Sequence, residues 1–171
     1  AWEKLLAINP SNNDLRYVME NVAELEDEAW GVLREKSLST YELKNIIEYC
    51  TNKSKKAWKI LKKKSPTNYE LRDIVRYSKD FKKDPWKQMT KQEPSNGDLI
   101  YIMRFVPELQ ELAWKKFVDQ YPTMNEYITV IKTVPEYKEL AWKNFIELAP
   151  DNKKIIELII DSENFRENAW Y

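Results

Sequence analysis

The stretch AWGVLREKSLSTYELKNIIEYCTNKSKK, residues 29–56, is one period of a pattern that runs through the chain. It opens on Ala29-Trp30 and gives way to a second such pair, Ala57-Trp58. The tryptophans stand at Trp2, Trp30, Trp58, Trp86, Trp114, Trp142 and Trp170, each 28 residues after the last, and none lies off the series. A fixed period of roughly 20–50 residues marks tandem repeats, whose units bury their apolar faces only by stacking on one another. The period predicts a single repeat domain over residues 1–171. Its six units are 1–28, 29–56, 57–84, 85–112, 113–140 and 141–168, and residues 169–171 open a seventh.

Numbering each unit from its Ala as column one, columns 15, 18, 19 and 22 are apolar or small. In the second unit they are Leu43, Ile46, Ile47 and Cys50. That spacing of i, i+3, i+4 and i+7 is one face of a helix. Column ten is Pro10, Pro66, Pro94, Pro122 and Pro150, with Leu38 the exception, and proline ends a preceding helix. Column eleven follows with Ser11, Ser39, Thr67, Ser95, Thr123 and Asp151, and column fourteen with Asp14, Glu42, Glu70, Asp98, Glu126 and Lys154. Five units thus carry a Ser/Thr-x-x-Asp/Glu capping box, and the sixth keeps a cap without its acidic partner. Each unit is expected to hold a helix B over about columns 12–21. A helix A is expected from about column 24, through the tryptophan, to column 8 of the next unit.

Pro107 and Pro135, in column 23, fit the first turn of helix A, where proline is tolerated. Column 25 (Leu25, Phe81, Leu109, Tyr137, Phe165) widens the apolar face of helix A. The small Ala of column one lets a neighbouring helix approach, and the tryptophan beside it is expected to be a core residue rather than a ligand platform. Pro85 replaces that Ala at a point inside helix A. A bend, a break or a shortened helix is expected there, with Asp84 as cap and Pro85 at the first helical position.

Helical hairpins in tandem with a capped second helix resemble α-solenoid repeats of the HEAT, armadillo and tetratricopeptide kind. The period of 28 is shorter than theirs, and the W-x2-L-G-x2-Y pattern of tetratricopeptide repeats is absent after the tryptophan, as in Gly31, Val32 and Leu33. The resemblance is to an architecture, an all-α right-handed α-solenoid, and implies an extended scaffold that binds partners along its inner face.

Composition narrows the chemistry. The chain has no histidine, the usual general base, metal ligand and pH switch. A single cysteine, Cys50, allows neither an intrachain disulfide nor a thiolate zinc site, and reads as a small buried residue. Two glycines cannot build a phosphate-binding loop. No enzymatic activity, cofactor or metal is expected. No apolar run approaches the ~18 residues of a membrane span, and no secretory signal is visible, so no membrane partner and a cytoplasmic setting are expected. The chain starts on a repeat landmark and is expected to be an excerpt of a longer array. Neither end looks like a polar cap, so chains are expected to stack end to end.

Function is expected where units differ and point outward. Columns 13, 17 and 20 lie opposite the apolar face of helix B, and the binding candidates there are Tyr41, Asn45, Tyr69, Asp73, Arg76, Tyr101 and Arg104. Tyrosine, asparagine and arginine offer area and hydrogen bonds at modest entropic cost. The expected function is a non-enzymatic scaffold for a protein or extended peptide. Charge suggests an alternative. Net charge over the chain is zero, but residues 1–28 carry −5, residues 29–84 carry +8 and residues 85–168 carry −3. The basic block includes Lys53, Lys55, Lys56, Lys59, Lys62, Lys63, Lys64, Lys79, Lys82 and Lys83, read first as a solubilising outer face. The alternative is single-stranded nucleic acid held by the basic repeats two and three, with Tyr49, Tyr77 and, in the fourth repeat, Phe105 of column 21 stacking on bases. Column 21 borders the core, so partial burial is expected of it. A spacer or sensor arm is the third possibility.

Overall fold

The computed structural model describes residues 1–78 and 81–161, and all regular structure in them is helical. In chain order the helices are α1 (Trp2–Ala7), α2 (Asn12–Asn21), α3 (Glu26–Leu33), α4 (Thr40–Tyr49), α5 (Thr51–Leu61), α6 (Asn68–Tyr77), α7 (Lys83–Lys91), α8 (Asn96–Phe105), α9 (Gln110–Asp119), α10 (Met124–Thr133), α11 (Lys138–Glu147) and α12 (Asn152–Asp161). Trp170, Phe165 and Lys79 lie outside the described residues. The chain divides into two compact units, Ala1–Glu93 and Pro94–Tyr171. In the first, α2–α3, α4–α5 and α6–α7 pair as hairpins, and α4 packs against both α2 and α6. In the second, α8–α9 and α10–α11 pair, and α8 packs against α10.

Helix B falls on columns 12–21 in every unit, as its local signals predict. All five capping boxes are formed. In each, the Ser or Thr side chain accepts the backbone N–H three residues on, and the acidic side chain there accepts the cap's own N–H. In the sixth unit Asp151 Oδ1 accepts the Lys154 N–H at 2.8 Å. At the other end the column-22 N–H returns to the column-18 carbonyl, as in Cys50 to Ile46 at 2.9 Å, and the chain then leaves the helix.

A second set of contacts ties one cap to the next. Asn12 Nδ2 donates to Glu42 Oε1 at 2.7 Å, so the first residue of α2 reaches the capping carboxylate of α4. Thr40 bonds Glu70 in the same way, as does Asn96 Glu126. The Ser39 backbone and hydroxyl hold Glu42 below the usual carboxylate value, with Asn12 adding to them and burial opposing. For Glu70 and Glu126, burial pushes the carboxyl up and these hydrogen bonds outweigh it.

Helix A is less uniform. In three units it begins as a 3-10 turn, Ala23–Leu25, Pro107–Leu109 and Pro135–Tyr137, with both prolines at the first position as expected. It ends on a left-handed residue in column nine: Asn9, Ser65, Glu93, Tyr121 and Ala149 all have φ of 50–53°. Each precedes a column-ten proline. Ser37, which precedes Leu38, does not share that backbone, and α3 stops at Leu33.

The helix at Pro85 starts late, one column after α3, α9 and α11, and is not the shortest of the set. α7 begins at Lys83, whereas α5 begins four columns earlier at Thr51. The cap differs from expectation. Lys82, not Asp84, is the N-cap residue, and Pro85 is the third helical residue rather than the first. A proline in the first turn removes an N–H that has no intrahelical partner, so little is lost. Asp84 is engaged elsewhere: its Oδ2 accepts the Trp58 indole N–H at 2.8 Å and the Lys62 ammonium at 3.0 Å.

In both units the core is built from the predicted columns. Ala29, Ala57, Ala113 and Ala141 are fully buried, as are Leu15, Leu43, Leu71 and Leu99 of column 15. Trp30, Trp58 and Trp86 are buried, while Trp2, Trp114 and Trp142 are half-buried. Two of the tryptophan rings pack on column 25 of the next helix A. Trp58 lies 6.2 Å from Phe81 and Trp114 lies 5.1 Å from Tyr137, centroid to centroid. Lys53 occupies that column in the second unit and corrects the expectation of an outer position. It is 5% exposed, with Nζ 2.8 Å from Asp27 Oδ1 and 3.6 Å from Glu26 Oε2. Burial pulls the Lys53 ammonium down, but its hydrogen bond to Asp27 and the charges of Glu26 and Asp27 outweigh this and hold it above its usual value.

Candidate functional site

Column 13 points outward in every unit, and in α4 and α6 it supplies Tyr41 and Tyr69, both more than half exposed. Between these rings stands Lys44. Its Nζ is 6.0 Å from the Tyr41 ring centre and 5.9 Å from that of Tyr69, and it donates to Asp73 Oδ2 at 2.9 Å. The Arg72 guanidinium lies 4.3 Å from the centre of the Tyr69 ring, so that ring is in reach of two cations. Such contacts contribute about 0.5–1 kcal/mol each at exposed sites, enough to bias the ring orientation. Burial lowers the Lys44 ammonium, and Asp73 more than restores it above its usual value.

Asp73 is buried rather than outward-facing: it is 8% exposed and pairs with Lys44 of the neighbouring helix B at 2.9 Å. Lys44, which sequence reasoning did not select, is the residue that organises this part. Column 16 carried the signal: Arg16, Lys44 and Arg72 in the first three units, then Ile100, Ile128 and Ile156.

Two cavities flank the tyrosines. One of about 270 Å³ lies between α4 and α6, lined by Tyr41, Lys44, Thr67, Tyr69 and Glu70. A larger one, about 460 Å³, lies between α2 and α4. Asn13, Arg16, Tyr41, Glu42 and Asn45 provide its polar wall, and Leu33, Leu38 and Ile46 its apolar one. Arg16 is positioned by Glu20 at 2.8 Å and by Asn13 Oδ1 at 3.0 Å, and its guanidinium sits 5.7 Å from the Tyr49 ring centre. Of the candidates, Tyr41 and Asn45 share this cavity, and Tyr41 and Tyr69 share the smaller one. Arg76 is half-buried with its guanidinium 5.0 Å from the Tyr77 ring centre.

Tyr101 and Arg104 belong to α8 of the second compact unit. Tyr101 is half-buried against Phe105, ring centres 4.7 Å apart, and the exposed Arg104 lies 5.0 Å from the Phe105 ring centre. In column 21, Tyr77 and Phe105 are half-buried as expected, while Tyr49 is exposed. Cys50 is buried, and that burial pushes its thiol up to about 11, leaving it protonated at neutral pH.

Among the described residues no group of Cys, Asp and Glu is arranged to hold a metal ion, and no helix is long and apolar enough to cross a membrane. The fold defines an all-helical chain of tandem helical hairpins. No family model matches it, and comparison with curated proteins and with solved structures returns no match.

Proposed function

We propose that the chain is a non-enzymatic, peptide-binding scaffold, a right-handed α-solenoid of tandem hairpins whose B helices form the binding layer. The observation that carries this is the pair of exposed, equivalent rings Tyr41 and Tyr69, fixed on either side of Lys44–Asp73 and opening onto two cavities. Rigid aromatic rings beside amides and ion-paired cations give contact area with little ordering on binding. An extended peptide crossing α2, α4 and α6 would lay its side chains on the exposed Tyr41 and Tyr69 rings. Its backbone would meet Asn13 and Asn45. The cations of this strip are already matched by carboxylates, Arg16 by Glu20 and Lys44 by Asp73, which favours a peptide over a phosphate backbone here.

Selection of binders from a random peptide library on the intact chain tests the proposal. Selected peptides should bind with an affinity that changes little with salt and falls at least tenfold in Tyr69→Ala/Arg76→Ala. Undiminished binding by a folded double variant would move the site off this strip.

A further inference from the structure

We propose that the outer face of α5 and α7 is a second binding surface, separate from the tyrosine strip, which takes the phosphate backbone of a nucleic-acid strand without reading its bases. Lys55 and Lys59 of α5 and Lys63 of the following 3-10 turn, Lys62–Lys64, stand at i, i+4 and i+8. Lys83, Lys87 and Lys91 of α7 occupy the same three columns one unit later. All six are exposed. At the helical rise, successive lysines in α7 are spaced about 6 Å apart. α5 and α7 lie side by side, joined by Trp58–Asp84 and Lys62–Asp84. The six therefore form two neighbouring rows. Between α5 and α7 is a depression of about 360 Å³ lined by Lys62, Asp84, Lys87, Gln88 and Lys91. Asp84 is the one carboxylate on these elements, and its oxygens are held by Trp58 and Lys62.

The same columns elsewhere read Asp27, Gly31 and Glu35, then Glu111, Lys115 and Asp119, then Glu139, Lys143 and Glu147. In the last two sets opposite charges alternate at i,i+4 and support the helix, whereas in α5 and α7 like charges at that spacing oppose it. Lys83 is also the first residue of α7, where the helix dipole disfavours a cation. Exposed rows that work against their own helices and touch no core have their use outside the fold. Protein interfaces centre on Trp, Tyr and Arg and are poor in Lys, while neutralising phosphates is what lysine arrays do. The aromatic residues of α5 and α7, Trp58 and Trp86, are buried, so no ring is available to stack on a base.

The test is fluorescence anisotropy of a labelled oligouridylate titrated with the full chain over a series of salt concentrations. With six phosphates neutralised, log K should fall against log salt with a slope of about −4. Lys55→Gln/Lys59→Gln/Lys63→Gln should reduce the slope to about −2 and weaken low-salt binding more than about tenfold. Circular dichroism checks that the variant keeps its helices; if it does not, Lys59→Gln/Lys87→Gln should still lower the slope by more than about one. Tyr69→Ala/Arg76→Ala and Lys115→Gln/Lys143→Gln should leave affinity and slope unchanged. Absence of binding at low salt, an unchanged slope in the folded lysine variants, or displacement by polyglutamate at equal charge would each overturn the proposal.

Discussion

The Trp58 indole N–H and Asp84 Oδ2 are 2.8 Å apart, which ties the tryptophan of one unit to the first turn of the next helix A. Column 28 is otherwise Glu28, Lys56, Leu112 and Leu140 among the described units. Asp84 is thus placed in the late-starting first turn of α7, beside Pro85, and it stitches α7 onto α5.

Asp84→Ala should lower stability by about 1–2 kcal/mol, because a buried indole donor loses a charged acceptor. Asp84→Asn should cost less, since the amide oxygen still accepts from Trp58. Trp58 and Lys62 hold the Asp84 carboxyl below its usual value. Its contribution is therefore present above the unfolded carboxylate pKa and disappears as pH falls through the lower folded one. Urea titrations of the parent and the Asn variant should converge on acidification; a gap that stays constant would remove the charge from the account.

Column nine gives an unusual opportunity. Tyr121 has φ of 52° and is 92% exposed, so Tyr121→Gly removes left-handed strain and almost no packing. Such strain amounts to about 1–2 kcal/mol, part of which glycine returns through its freer unfolded state. A net gain of about 0.5–1 kcal/mol is expected for Tyr121→Gly and for Ser65→Gly. Ser37→Gly should destabilise, because that residue is not left-handed. Thermal melts of the three variants decide it.

The capping carboxylates make the array acid-sensitive. Hydrogen bonds depress Glu42, Glu70 and Glu126 below the usual glutamate value. Their stabilisation is complete above the unfolded pKa and is lost as pH drops through the folded values. Ser39→Ala and Thr67→Ala should each cost about 1 kcal/mol at neutral pH. Glu42→Gln/Glu70→Gln should flatten the acid limb of the stability profile, followed by circular dichroism against pH.

Lys53 and Glu26 should be replaceable together and not singly. Lys53→Leu restores the apolar residue of column 25 but leaves the buried Glu26 carboxylate without its cation and should destabilise, whereas Lys53→Leu/Glu26→Gln removes both buried charges, keeps an acceptor for Asn52 and should cost less. Glu26→Gln/Asp27→Asn leaves the ammonium buried with no carboxylate and should also destabilise. Chemical denaturation of these variants, with equal m-values, is the check.

Helix B was readable to the residue because three local signals agree at its start: a proline, a hydroxyl cap and a capping acid, followed by a helical apolar stripe. Helix A was readable only in outline. Its 3-10 entry and left-handed exit are set by backbone geometry, and column nine holds Asn, Ser, Glu, Tyr and Ala with no glycine to announce a positive φ. The exposure of Tyr41 and Tyr69 followed from periodicity within one helix. The burial of Asp73 did not, because its cause, Lys44, lies 29 residues away on another unit. The burial of Lys53 has a related cause: it sits in column 25, whose place in the core is set by the neighbouring helix and not by the charge run around it.

The cavity of about 460 Å³ sits beside the connection from helix A to helix B at Ser37-Leu38, which has neither the proline nor the left-handed residue of the other described units. There α3 ends early, and Leu33 and Leu38 are left to line a hollow. A periodic chain can thus divide its labour. Neighbouring units keep the frame, and a single unit freed from the common punctuation drifts toward specificity without endangering the whole. In proteins of this build, a break in the rhythm is where an individual vocation would first arise.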